Sequence, residues 1–213
     1  MKILTPQISA HLERRSIYDV FQDEDYELRN AQVDDVTFEN ENISHLHLSN
    51  VVIRNSSFAS TILENIDLMD VRFENCNLSN VNMRKGSIHR VEFINCKLLG
   101  VDFTESSFGN VRFSECVANL MQLPNSKLDK VIFEMTQLKQ TDFYSCKVKN
   151  SLFSHCDLEE ASFEDTPLKG IDIHTSTFQL LFVSPESLRG CIVSKEQAVQ
   201  IGVLFGLKIH EEE

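Results

Sequence analysis

Every fifth residue from Leu28 to Val193 is apolar. The series runs Leu28, Val33, Phe38, Ile43, Leu48 and onward through Leu188 and Val193, and all 34 positions carry an apolar side chain. Twelve of the fifteen Phe fall in this one register, which chance does not produce in a chain that is 42% hydrophobic. A period of five drifts around a helix of about 3.6 residues per turn, so a helix is excluded. A second register, two residues earlier, prefers small or β-branched side chains, as at Val51, Thr61, Val71, Cys76, Val91, Cys96, Val101 and Cys116. Residues two apart on an extended chain point the same way. Each unit therefore turns one large and one small side chain inward, and its fifth residue must turn a corner. Eleven of the fifteen Asn, together with Gly100, Gly170 and Gly190, lie in that corner slot, two residues after the large position. Both residue types tolerate strained backbone, and Asn can also hydrogen-bond locally.

Units such as Ala161-Ser162-Phe163-Glu164-Asp165, Val101-Asp102-Phe103-Thr104-Glu105 and Cys156-Asp157-Leu158-Glu159-Glu160 resemble the A(D/N)(L/F)xx unit of pentapeptide-repeat proteins. The resemblance covers residues 26–193. It implies an all-β fold, a right-handed quadrilateral β-helix (a pentapeptide-repeat solenoid) with four units, about 20 residues, per coil. At about 4.8 Å per coil, about 8.4 coils make a rod on the order of 40 Å long. Three segments follow: an N-terminal cap over 1–25, the β-helix over 26–193, and a C-terminal α-helix and tail over 194–213. Columns one coil apart should stack, giving a ladder of Phe73, Phe93, Phe113, Phe133 and Phe153 that tapers to Ile53 and Ile173. Ala118, small where a large residue belongs, and Met121, large where a small one belongs, predict compensated packing with local distortion over Val117 to Pro124.

All six cysteines (Cys76, Cys96, Cys116, Cys146, Cys156 and Cys191) occupy the inward small slot, which they share with Ser, Thr, Ala and Val. They read as small buried hydrophobes rather than as metal ligands or disulfides. His45 and His47 lie in outward slots and read as solvated surface. The sequence contains no GxGxxG, P-loop, HExxH or GxSxG motif. A smooth rod also offers no deep pocket. No catalytic residue, cofactor or metal is expected, and the chain reads as a non-enzyme.

At the C-terminus, Ser194 followed three residues later by Gln197 fits a capping box, and Gly206 fits the residue just past a helix. That helix is apolar at Ala198, Ile201, Leu204 and Phe205, with Leu207 beyond it, and must pack on its own last coil or on a second copy. The terminal pattern (S/T)xEQA…GLxI resembles the end of the quinolone-resistance (Qnr) pentapeptide-repeat proteins of Gram-positive bacteria. That resemblance implies a homodimer through Ala198, Ile201, Leu204, Phe205 and Leu207. It also implies mimicry of B-DNA and binding to DNA gyrase and topoisomerase IV. Residues 1–25 show partial helical spacing at Ile8, Leu12, Val20 and Phe21, and an acidic run at Asp23 to Asp25.

The net charge of −12 argues against electrostatic binding to nucleic acid; an acidic surface suits a basic partner, although net charge by itself mostly reports solubility. Neither a signal-peptide core nor a run of about 18 apolar residues is present, so a cytoplasmic, non-membrane protein is expected. Sorted by face, the charges are polarised. The face centred on Leu128 gathers Arg29, Arg90, Lys127, Lys130, Lys147, Lys149, Lys169 and Arg189. The adjacent face centred on Phe103 carries Glu41, Glu64, Asp102, Glu105, Asp142, Glu164 and Asp165, and these form the expected partner-binding surface. Stacked Ile132 and Leu152 are a candidate apolar contact patch. Two functions compete: a protector of topoisomerase against fluoroquinolones or other poisons, and a generic interaction rod with another basic partner.

Overall fold

The protein is described here by a computed structural model covering residues 2–22 and 24–210; Asp23 and the last three glutamates lie outside the described residues. Its chain winds as a right-handed quadrilateral β-helix of about eight turns. Two adjacent faces, meeting at the corner column of Asn50, Asp70, Arg90 and Asn110, form a continuous parallel sheet built from β1 (Glu13–Arg14), β2 (Glu27–Asp34), β3 (His47–Arg54), β4 (Asp67–Glu74), β5 (Ser87–Ile94), β6 (Ser107–Ser114), β7 (Lys127–Glu134), β8 (Lys147–Lys149) and β9 (Leu152–Ser154). From β2 onward neighbours pair in a register of 20 residues, as in Leu48 with Leu68 and Phe93 with Phe113, while β1 joins β2 through Glu13 with Ala31. The other faces are held by single parallel bridges in the same register, for example Thr37 with Ser57 and Asp102 with Gln122. Two short strands, β10 (Ala161–Ser162) and β11 (Leu181–Phe182), pair near the C-terminal end. A helix, α1 (Lys195–Leu204), closes the chain.

The core is the stack of inward columns. Rings of Phe73, Phe93, Phe113, Phe133 and Phe153 lie 4.8–5.1 Å apart, centroid to centroid. Successive planes are tilted by 15° or less. Ile53 and Ile173 flank the ladder on either side, fully buried. The small slot accepts polar residues for a reason the periodicity alone does not give. Its hydroxyls and thiols donate to inward carbonyls of the preceding coil, as Thr61 Oγ1 does to Phe38 O (2.8 Å) and Ser126 Oγ to Phe103 O (2.9 Å). Among the described residues no buried side-chain polar atom is left without a partner.

From position 30 to 165 every corner residue has positive φ, Asn or not; Arg90, Leu120 and Met135 sit there beside Gly100. Corner amides also ladder along the rod: Asn95 donates to Asn75 (2.8 Å), Asn75 to Asn55 (3.3 Å) and Asn55 to Asp35 (3.1 Å). The expected distortion around Ala118 is absent. Ala118 and Met121 are both fully buried, and the coil keeps its bonds through Ala118 N to Gln137 O (2.8 Å) and Leu120 N to Lys139 O (2.8 Å).

The N-terminal segment departs from the helical spacing read at Ile8 and Leu12. Residues 2–12 form no helix and run along the rod flank instead. Leu4 N donates to Asn110 Oδ1 (3.0 Å), Gln7 N to Asp70 Oδ1 (2.8 Å) and Ser9 N to Asn50 Oδ1 (2.8 Å). Pro6 disfavours a helix, and the corner acceptors satisfy the amides an extended chain exposes. Only Ile17–Gln22 is helical, a 3₁₀ turn whose Ile17 and Val20 are fully buried at the first coil.

Candidate partner-binding surface

The surface is built from outward side chains whose places are set by the coil. Alternation puts residue 102 outward between inward Val101 and Phe103, and the register stacks Asp102, Gln122, Asp142 and Ser162 in one column. Cations neutralise part of the expected acidic set. Arg84 reaches Asp102 (3.3 Å) and Glu105 (3.9 Å), and Lys85 reaches Glu64 (3.6 Å). Glu41 is not on the outward surface at all. It falls in the inward small-slot column of Thr61, Val81 and Val101, because it lies two residues before Ile43, and it is half-buried there.

Asp142, Glu164 and Asp165 have no ion pair among the described residues and converge on Tyr144. Tyr144 N donates to Asp142 Oδ1 (2.8 Å). The Tyr144 phenol is pushed above its ordinary value by its hydrogen bond to Asp165 and by the charges of Asp165, Glu164 and Asp142. On this face the carboxylates without an ion pair among the described residues therefore gather towards the C-terminal half, at Asp142, Glu164 and Asp165. Around the next edge, Glu159 and Glu160 extend this group, holding Gln179 N (2.5 Å) and Gln140 Nε2 (2.6 Å), while Asp157 pairs with Lys139 (2.9 Å). A charge sum over that face does not register Tyr144, which is uncharged, or Glu159 and Glu160, which lie around the corner.

Ile132 and Leu152 present no apolar patch. They stack outward in the column of Arg72, Glu92, Arg112 and Asp172, but Ile132 is buried and Leu152 half-buried. The apolar surface is at the C-terminal end instead. The capping box of α1 is complete, with Gln197 N donating to Ser194 Oγ (3.1 Å) and Ser194 N to Gln197 Oε1 (2.9 Å). Gln197 is buried, and its Nε2 also donates to Ile173 O (2.9 Å) and Ser176 O (2.7 Å) of the last coil. Ile201 packs on the core beside it. Of the residues expected at a dimer contact, Ala198, Phe205 and Leu207 are exposed, while Ile201 and Leu204 are half-buried against the protein itself. Val199, Val203 and Ile209 add to the exposed set.

His47 Nδ1 lies 3.5 Å from Asp67. With His45 it lines a surface cavity of about 410 Å³ at the N-terminal end, together with Glu24, Asp25 and Tyr26. Among the described residues no group of three or more His, Cys, Asp or Glu is placed to hold a metal ion, and no helix is long and apolar enough to cross a membrane.

The family profile described as the pentapeptide repeat region matches residues 86–163, and that of the SV2A/B/C luminal domain matches residues 12–103. No curated protein matches the chain. Among solved structures, a trypsin-treated form of QnrB1, a plasmid-mediated fluoroquinolone resistance protein, is 22% identical with a TM-score of 0.50. That comparison covers 85% of this chain and 90% of that one. Full-length QnrB1 is 20% identical with a TM-score of 0.49, over 83% and 91% of the two chains. HetL, a pentapeptide repeat protein involved in heterocyst differentiation regulation in the cyanobacterium Nostoc sp. strain PCC 7120, is 13% identical with a TM-score of 0.38, over 79% and 90%. At these identities the likeness is one of fold.

Proposed function

The chain is a pentapeptide-repeat protein with the fold of QnrB1, and on that premise we propose that it binds a type II topoisomerase and shields it from fluoroquinolones or other poisons. The partner is DNA gyrase, topoisomerase IV or both, met in the cytoplasm. The protein acts as a binding protein, not an enzyme, and offers its acidic flank in place of DNA. A DNA-binding groove reads phosphates mainly through Lys and Arg, so a cluster of carboxylates on the flank of a rod is the complement it accepts. The observation that carries this reading is the group of Asp142, Glu164 and Asp165, which no basic side chain of the described residues neutralises. Two copies join through the exposed apolar end at Val199, Val203, Phe205, Leu207 and Ile209, which doubles the length of the acidic surface.

The test is binding of the intact protein to immobilised gyrase. Asp142→Lys/Glu164→Lys/Asp165→Lys should abolish it, whereas Glu64→Lys, at a carboxylate already paired, should change it little. Undiminished binding of the triple variant would sink the acidic-flank reading.

A further inference from the structure

The basic residues of the flank opposite Asp157 and Glu159 fall into two groups. Towards the N-terminal end they are paired: Arg29 with Glu27, and Arg90 with Asp70 at 2.6 Å. Towards the C-terminal end Lys127, Lys130, Lys147, Lys149, Lys169 and Arg189 are all exposed, and none has an ion pair among the described residues. The only acids on that stretch are Asp129, which holds Asn150 Nδ2 (2.9 Å), and Glu186. Six cations without an ion pair among the described residues thus stand together on one flank of a chain of net charge −12.

The same corner already shows what it can hold. The N-terminal arm lies along the corner column of Asn50, Asp70, Arg90 and Asn110, in extended form, crossing three coil steps between Leu4 and Ser9. Five residues over three coils of about 4.8 Å is the reach of a single extended strand. Beyond the arm the column continues as Lys130, Asn150, Gly170 and Gly190. The corner at Gly170 is bare: a side chain there would meet nothing within 4 Å. Lys149, Lys169 and Arg189 stand beside Gly170 on three successive coils, and a cavity of about 330 Å³ opens between Lys127, Lys147 and Lys149, with Asp129 and Asn150 also in its lining.

We propose that this C-terminal stretch of the flank is a docking track for an acidic polypeptide segment of a partner protein, bound extended along the rod axis in line with the arm. The track is one strand wide, and the adjacent face carries Asp142, Glu164 and Asp165. A long phosphate chain would feel that neighbouring negative charge along its length, whereas a short acidic peptide feels mainly the six cations.

The probe is a labelled Glu-Ser dodecapeptide, read by fluorescence anisotropy on the full chain, with its Gln-Ser counterpart and a labelled oligo-dT of equal length in parallel. The Glu peptide should bind, and release as salt rises to about 0.5 M. Lys149→Glu/Lys169→Glu/Arg189→Glu should weaken it about tenfold or more, and Lys97→Glu/Lys195→Glu, an equal kind of change elsewhere, should not. If the triple variant does not fold, the neutral pair Lys149→Gln/Lys169→Gln carries the same test. No binding of the Glu peptide, equal binding of the Gln peptide, tighter binding of oligo-dT, or equal loss in the control variant would each overturn the proposal.

Discussion

Phe113 lies between Phe93 and Phe133, at 4.8 and 4.9 Å, and is fully buried. No loop can relax into the space its ring leaves, because the coils above and below are fixed by backbone hydrogen bonds. Phe113→Ala should therefore destabilise the rod by about 3–5 kcal/mol, read from denaturant unfolding. The thiols make a second prediction. Burial pushes Cys146 up to about 12 and Cys156 up to about 11. Cys191, also raised to about 11, is only half-buried. A thiol reagent at pH 8 should label Cys191 first and the other five only on unfolding; prompt labelling of Cys96 or Cys116 would contradict the column assignment. These inward positions were legible in the sequence because each coil repeats one steric demand. The charged residues were less so, since a sum over a face counts Arg84, Asp102 and Glu105 separately and does not see that one guanidinium holds both carboxylates. The register could have shown other pairs in advance: Arg54 with Glu74, Arg72 with Glu92 and Arg90 with Asp70 are each one coil apart.

At the scale of elements, the two ends are closed by different means. Helix α1 is tied to the last coil by one amide, Gln197 Nε2, which donates to both Ile173 O and Ser176 O. Ser194→Ala removes the acceptor for Gln197 N and should cost about 1 kcal/mol. The N-terminal arm rests on Asp70, whose carboxyl is held below its ordinary value by the Arg90 hydrogen bond and, further, by the Gln7 amide. A depressed carboxylate stabilises the folded state fully above its ordinary value, near 4, and loses that contribution as pH falls through the depressed one. The Gln7 amide resonance should accordingly hold steady above about pH 4 and shift in more acidic solution; a shift centred near neutrality would contradict the contact. The capping box of α1 was legible from Ser194 and Gln197, four residues of local pattern. The arm was not, because its partners lie 41, 63 and 106 residues away and no periodicity links Leu4, Gln7 or Ser9 to them.

For the whole molecule, the account joins an acidic flank, a basic track and an apolar end on one rigid rod. Truncation after Val193 removes α1 and the exposed residues Val199, Val203, Phe205, Leu207 and Ile209, and should leave monomers by light scattering. Because Gln197 goes with it, Phe205→Asp/Leu207→Asp is the companion variant that tests the contact with the last coil still capped. The central claim, a protector of topoisomerase, is tested most directly by gyrase supercoiling across a titration of this protein, with and without a fluoroquinolone. The account predicts that supercoiling lost to the drug returns as the protein is added. Inhibition without recovery, or no effect at a large excess over enzyme, would contradict it.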